Sequence, residues 1–400
     1  LKGNILIYSV PLIAMLPHIS TYFAANQLPE AEFTYRIHSP GRINLIGEHT
    51  DYTGGLVMPA AIDKGIEYYA RPISTRELRL HAVDLGATYT LPLPVTGKTG
   101  ELWVDYLAGI TTQFQNMGYE IPGLEIVFGG DVPRGSGMSS SAALEGGMAF
   151  LLNELCQAGL TRPLLAQTCK ASSNNFIGIP SGIMDQFASI NGTSAGPIML
   201  NCESLQFSTI NANLPGYSWL LVNSMVSHEL TGSEYPDRVA QCQEALTHLQ
   251  QHFPTLDYLS AASPAQLEKA IGAMPPIVQK RARHVVHENE RVRQAAKALE
   301  QGDAAKMGQL MQATHASLRD EFEVSCEEVD FLQAEAITQF PAAVAGSRIM
   351  GGGFGGCTIN LLKTVAVPDL KTYLTEVYRE KYDLAPEFYD VVISDGTRMI

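Results

Sequence analysis

Between Ser39 and Tyr52 the chain reads SPGRINLIGEHTDY, an otherwise apolar, strand-like stretch that carries one arginine, two carboxylates and a histidine. Charge buried without a partner is costly, so such a cluster has either a task or contact with water. On a turn, Glu48, His49 and Asp51 have the donors and acceptors to hold a polyol, and Arg42 can stabilise negative charge that develops during phosphoryl transfer. A surface turn with solvated charges, and with Arg42 in a structural ion pair, would use the same residues. Another carboxylate, Asp185, lies among apolar neighbours after a Pro-Ser-Gly turn in GIPSGIMDQFAS (178–189). Held near a cation and a hydroxyl, it can act as general base or orient that hydroxyl. Capping a helix or pairing with a lysine is the plainer role for an isolated Asp.

Phosphate chemistry also needs a cradle for anions, and Asp131 to Glu145, DVPRGSGMSSSAALE, has the composition of one. Glycines let backbone N–H groups turn toward an anion, and a helix that starts at the serines adds unpaired donors and the positive end of its dipole. A flexible connection with serine caps would look similar. The segment is neither GxxxxGK[ST] nor a GxGxxG with its acidic partner, which argues against P-loop and dinucleotide-binding readings. Further on, GGGFGG (351–356) sets five glycines between apolar runs. Dense glycine marks close backbone approach, over phosphates or in a tight crossover.

Elements must hold these segments in place. From about Phe33 to Leu93, short runs such as FTYRIH, GIEYYARP, LRLHAV and TYTLPL are punctuated by Gly, Pro and Asp and predict a sheet. A strand is expected over Gly123–Phe128, then the glycine loop, then a helix carrying Leu144, Met148, Leu151, Leu152 and Leu155 at helical spacing. A second series starts with the strand-like SWLLVNSM, continues through helical stretches near 236–252 and 285–334, and closes with CTINLL and FYDVVIS. The split falls near residue 208, into 1–208 and 209–400, with α+β character on both sides.

The 400 residues are 46% apolar, enough for a core in each half. A net charge of -14 argues against affinity for nucleic acid or anionic membrane. The six cysteines are widely spaced without a CxxC pair, as in a reduced cytoplasmic protein. The apolar run Ile5–Leu16, flanked by Lys2, resembles a signal-peptide core, but Pro11 and Pro17 interrupt it and export is not expected.

Taken together and in this order, GRINLIGEHTDY, VPRGSGMSSSAALE, GIMDQF and SRIMGGGFGGCTINL resemble the signature, phosphate loop, aspartate segment and third motif of the galactokinases, in the GHMP small-molecule kinase superfamily. The resemblance runs from about Phe23 to the C-terminus. It implies a two-domain α+β GHMP kinase fold, the first domain similar to ribosomal protein S5 domain 2 and the second ferredoxin-like, with the active site between them. By the same resemblance Asp185 and Arg42 are catalytic, and Glu48, His49, Thr50, Asp51, Gly182 and Tyr235 bind the sugar. Gly135, Ser136, Gly137, Met138, Ser139, Ser140 and Ser141 bind ATP, and Ser141 also holds Mg²⁺. The implied reaction is phosphorylation of D-galactose at C1 by ATP, the first step of galactose catabolism, in a cytoplasmic monomer. A kinase for a related sugar such as N-acetylgalactosamine, and a non-catalytic galactose and ATP sensor, are the alternatives.

Ser39 stands where alanine is common in the family and Ser181 where cysteine is common. At Ser173, in SSNNF, the family usually has a Glu that binds the metal. The chain before Phe23 matches nothing in the family pattern.

Overall fold

In a computed structural model, the alternating runs between Tyr35 and Pro92 build most of a six-stranded sheet. The structure describes residues 15–133, 135–179, 181–227 and 234–400. Residues 5–14 of the apolar N-terminal run therefore lie outside the described residues, as do Arg134, Pro180 and residues 228–233 of HELTGSEY.

Across the first sheet the strands are Arg398–Met399, Tyr35–Asn44, Pro59–Pro72, Leu124–Gly130, Glu77–Ala82 and Ala87–Pro92. All neighbours are antiparallel except Leu124–Gly130 with Glu77–Ala82. Ile37, Tyr68, Leu80 and Ile126 of this sheet share a core with Leu107, Phe114, Met148, Leu152 and Phe187. The latter come from the helices Leu102–Asn116, Ser140–Leu155 and Met184–Asn191. The strand after Gly123 runs to Gly130, a little past the expected span, and leads into the glycine loop and helix in the expected order.

The second sheet is ordered Val344–Ile349, Gly355–Lys363, Tyr217–Ser227 and Glu387–Val391, antiparallel throughout. The helices Glu327–Gln339 and Val367–Tyr382 share a core with it through Leu332, Leu370, Leu374 and Tyr378. The helical stretch expected over 285–334 is divided among helices Pro276–Glu300, Ala304–Asp320 and Glu327–Gln339. Gly302, in the left-handed region at φ 69°, and Asp303, whose side chain accepts from the Lys306 amide, end one helix and start the next.

A strand pairing and a shared core are among the connections between the two parts of the chain. Strand Arg398–Met399 returns to the first sheet, with Met399 opposite Ile37, and Ile393 bridges to Ile62. A shared apolar core joins Ile43, Leu45, Ile46 and Met138 to Leu221, Met307 and Ile359. Both chemically marked loops therefore rest on the second half. Among the described residues no helix is long and apolar enough to cross a membrane.

Candidate active site

Arg42 owes its position to a bulge. Its strand slips register between Pro40 and Arg42, and a Cβ on Gly41 would come within 2.7 Å of the Met138 carbonyl. The missing side chain lets the glycine loop approach closely enough for the Arg42 amide to donate to Met138 O at 3.0 Å. The guanidinium is buried and forms a two-pronged ion pair with Asp185, Nε and Nη2 each at 2.8 Å, while Nη1 donates to Gly137 O. Asp185 lies in the first turn of Met184–Asn191, where the dipole favours an anion. Ser139 donates to its Oδ2 at 2.5 Å. A carboxylate offers about four acceptor positions, and these three bonds leave one.

The ion pair opens onto a polar cavity of about 160 Å³ whose wall includes Glu48, His49, Asp51, Gly182, Asp185 and Tyr235. A Cβ on Gly182 would fall 1.7 Å from Asp51 Oδ2, so only glycine lets that carboxylate take its place. Burial, helped by the nearby His284, pulls His49 down to about 3 and keeps its ring neutral. Its Nδ1 pairs with Tyr52 Oη at 2.9 Å, and the buried ring also has a bond to the Gly352 backbone.

Glu48, on the cavity wall, is also held by the protein itself. It accepts from Arg348 Nη1 at 2.8 Å, Gly351 N at 3.0 Å and Asn44 Nδ2 at 2.7 Å. Thr50, expected with the sugar residues, donates to Gly47 O and Leu56 O and ties the turn together. From helix Pro276–Glu300, Glu288 accepts the Gly47 amide at 2.8 Å, and His284 Nε2 lies 3.0 Å from Glu48 O. Arg348, His284 and Glu288 were not singled out from sequence. SRIM preceding the glycine run was the only signal for the first.

Burial, then the Asp185 and Glu48 carboxylates, pushes Asp51 up to about 7. A carboxyl raised in the folded state binds its proton more tightly there than in the unfolded chain. Its stabilising effect is therefore lost as pH climbs from about 3.8 to about 7. With the solvent-facing side allowed for, the loss in ligand-free protein is about 2–3 kcal/mol. Urea midpoints at several pH values, for wild type and Asp51→Asn, should diverge over this window, the variant staying flatter. Parallel curves would show that Asp51 ionises at its ordinary value.

The glycine-loop residues divide by role. Gly135 and Gly137 hold left-handed φ of 70° and 71°. Ser136 donates to Pro133 O, and Met138 is buried in the shared core. Ser140 and Ser141 open the helix and line a second cavity of about 420 Å³, walled by Leu85, Leu102, Trp103, Phe128 and Leu144. This flat apolar recess beside a run of helix-start amides suits a planar base joined to phosphates. Sequence reasoning missed it, since the named wall residues come from four separate elements.

Ser141 and Ser173 also face the polar cavity, and Ser141 is bonded to Tyr106. Ser173 donates to Glu145 Oε1 at 2.7 Å, and Gln186 Nε2 lies 3.2 Å from Oε2. Burial pushes Glu145 up to about 7, while the Ser173 and Gln186 bonds pull it down. Among the described residues no three His, Cys, Asp or Glu side chains form a metal cage. The hydroxyls of Ser141 and Ser173 on the cavity wall nevertheless suit a hard cation that takes its other oxygens from phosphate and water. Of the other departures from the family pattern, Ser39 Oγ pairs with Thr397 Oγ1 at 3.0 Å, and the Ser181 amide donates to Asn174 Oδ1 at 3.0 Å.

Three family descriptions match the chain: the galactokinase galactose-binding signature over residues 28–72, the GHMP kinases N terminal domain over 105–193 and the GHMP kinases C terminal over 295–380. Over 367 residues the chain is 37% identical to a galactokinase of Clostridium beijerinckii, covering 90% of this chain and 94% of that protein. It is 34% identical to a galactokinase of Thermotoga neapolitana, covering 91% and 100%. The crystal structure of Lactococcus lactis galactokinase complexed with galactose superposes with a TM-score of 0.89 at 35% identity, covering 95% of this chain and all of that one. A mevalonate kinase at 16% identity, with a TM-score of 0.62, shares the fold.

Proposed function

Because the chain belongs to the galactokinase family of the GHMP kinases, we propose that it transfers the terminal phosphoryl group of ATP to the anomeric hydroxyl of D-galactose, giving galactose 1-phosphate and ADP. The observation that carries this reading is the Arg42–Asp185 pair, set between a polar cavity and the glycine loop. On this reading residues 1–208 bring the sugar segment and phosphate loop, and residues 209–400 brace them.

The sugar lies in the polar cavity. His49 and Asp51 offer partners to the ring hydroxyls, and Tyr235 covers the ring. The remaining acceptor position of Asp185 takes the hydrogen of the reacting hydroxyl, orienting the oxygen and receiving its proton as the bond to phosphorus forms. Arg42 balances the charge that gathers on the transferred group. ATP lays its base in the recess beside Trp103 and its phosphates over the start of helix Ser140–Leu155. Ser141, with Ser173 beside it, would hold Mg²⁺, which when bound would supply charge neutralisation to the phosphate oxygens. The six free cysteines and the ATP requirement fit a cytoplasmic enzyme, and we take it to act as a monomer.

ADP release measured across a sugar panel tests this reading. Galactose should turn over and glucose hardly at all, because an inverted hydroxyl leaves a buried polar group unpaired. Equal use of glucose overturns the assignment, preference for N-acetylgalactosamine moves it to a related kinase, and binding without turnover to a sensor. The serine at 173 adds an expectation on the metal. With one negative charge fewer near the phosphates, half-maximal rate should need more free Mg²⁺ than in Ser173→Glu, at unchanged KM for galactose. Superimposable Mg²⁺ curves would place residue 173 away from the metal.

A further inference from the structure

Ser139 occupies the N-cap of helix Ser140–Leu155, where a serine side chain ordinarily accepts a hydrogen bond from a first-turn amide. It makes no cap bond, and its backbone sits in the left-handed region at φ 58°, ψ 55°. That region is unfavourable for a residue with a Cβ and open to glycine. Its hydroxyl is turned instead to Asp185 Oδ2, 2.5 Å away. The two preceding residues reach the same ion pair, Gly137 O accepting from Arg42 Nη1 and Met138 O from the Arg42 amide. A glycine at 139 would adopt this backbone freely and would lack only the hydroxyl.

On the kinase reading above, we propose that Ser139 is a positioning residue for Asp185, not a phosphate ligand. Its donated hydrogen bond fixes the carboxylate against Arg42 and leaves the one acceptor position toward the cavity. With no side chain on them, the first-turn amides of the helix stay available to phosphate. Ser139 thereby joins the nucleotide loop directly to the sugar-side carboxylate, beside the link that Arg42 makes.

The test is steady-state kinetics with galactose and ATP for wild type, Ser139→Ala and Ser139→Gly, each checked for its thermal midpoint. Both variants should lose kcat by about 10- to 30-fold, with KM for galactose and for ATP within about twofold, as expected when an interaction acts on the chemical step and not on ground-state binding. Ser139→Gly should do no better than Ser139→Ala although it relieves the backbone. Near-normal kcat in Ser139→Gly alone would mean that only the backbone shape matters. A raised KM for ATP with kcat retained would make the hydroxyl a phosphate ligand, and unchanged kinetics in both would make it idle; each result overturns the proposal. If Ser139→Ala fails to fold, Ser139→Gly decides the matter. A wild type that turns over no sugar sinks the kinase reading and this inference together, whereas an active wild type with unaffected variants sinks this inference alone.

Discussion

Asp185→Asn should lower kcat by a hundredfold or more, about 2.7 kcal/mol of barrier, with nucleotide binding nearly unchanged. Asn keeps the shape and loses both the charge and half of the acceptor capacity. Asp185 accepts two bonds from Arg42 and one from Ser139, and an amide must turn its NH₂ toward at least one of those donors. The variant therefore loses the proton acceptor and loosens Arg42 at the same time. Arg42→Ala should resemble it, through lost stabilisation of charge on the transferred group. The two effects should fall short of additive, since the residues act as one unit. Nucleotide affinity, measured by titration, and the thermal midpoint separate chemistry from folding. A variant with near-normal kcat would remove Asp185 from the mechanism.

Arg348→Met should cost about 3–5 kcal/mol of stability, because it leaves a buried carboxylate without its counter-charge. Arg348 is fully buried, as is Glu48, and it also donates to the carbonyls of Asn44, Leu45 and Ile349. The side chain thus pins the sugar segment to the second sheet, and its loss strips partners from three carbonyls as well as from Glu48. Urea unfolding gives the cost directly. Adding Glu48→Gln should recover part of it, since removing both charges is less costly than stranding one. A loss below about 1 kcal/mol would show that Glu48 finds water or another partner. In the surviving folded fraction KM for galactose should rise, because His49 and Asp51 follow on the same turn.

The motifs were legible because their information is local. GSGMSSSAALE dictates a turn with left-handed glycines and a helix start within a few residues, and the loop and helix form where the spacing places them. Strand periodicity from Tyr35 onward likewise predicts a sheet. The division of 285–334 into separate helices was not legible, since helical spacing continues across Gly302 and only the cap at Asp303 reveals the break. The apolar recess beside Ser140 was not legible either, because Leu85, Leu102 with Trp103, and Phe128 belong to separate elements and meet only when the fold leaves a gap between them.

By itself the sequence determined which residue types were available and in what order: an arginine, acids and a histidine on one segment, an anion loop on the next, a carboxylate after it. Tertiary structure decided the partners. Glu48, which lines the cavity beside His49 and Asp51, is also paired with Arg348, 300 positions away, and Thr50 bonds within its own turn. Ser139, a loop serine by spacing, belongs to Asp185, and the final strand of the chain lies against the first long one. The physical reason is range. Backbone conformation is set by neighbours a few residues apart, whereas the bond a polar side chain makes depends on which distant donor or acceptor packing brings within about 3 Å of it before water is excluded.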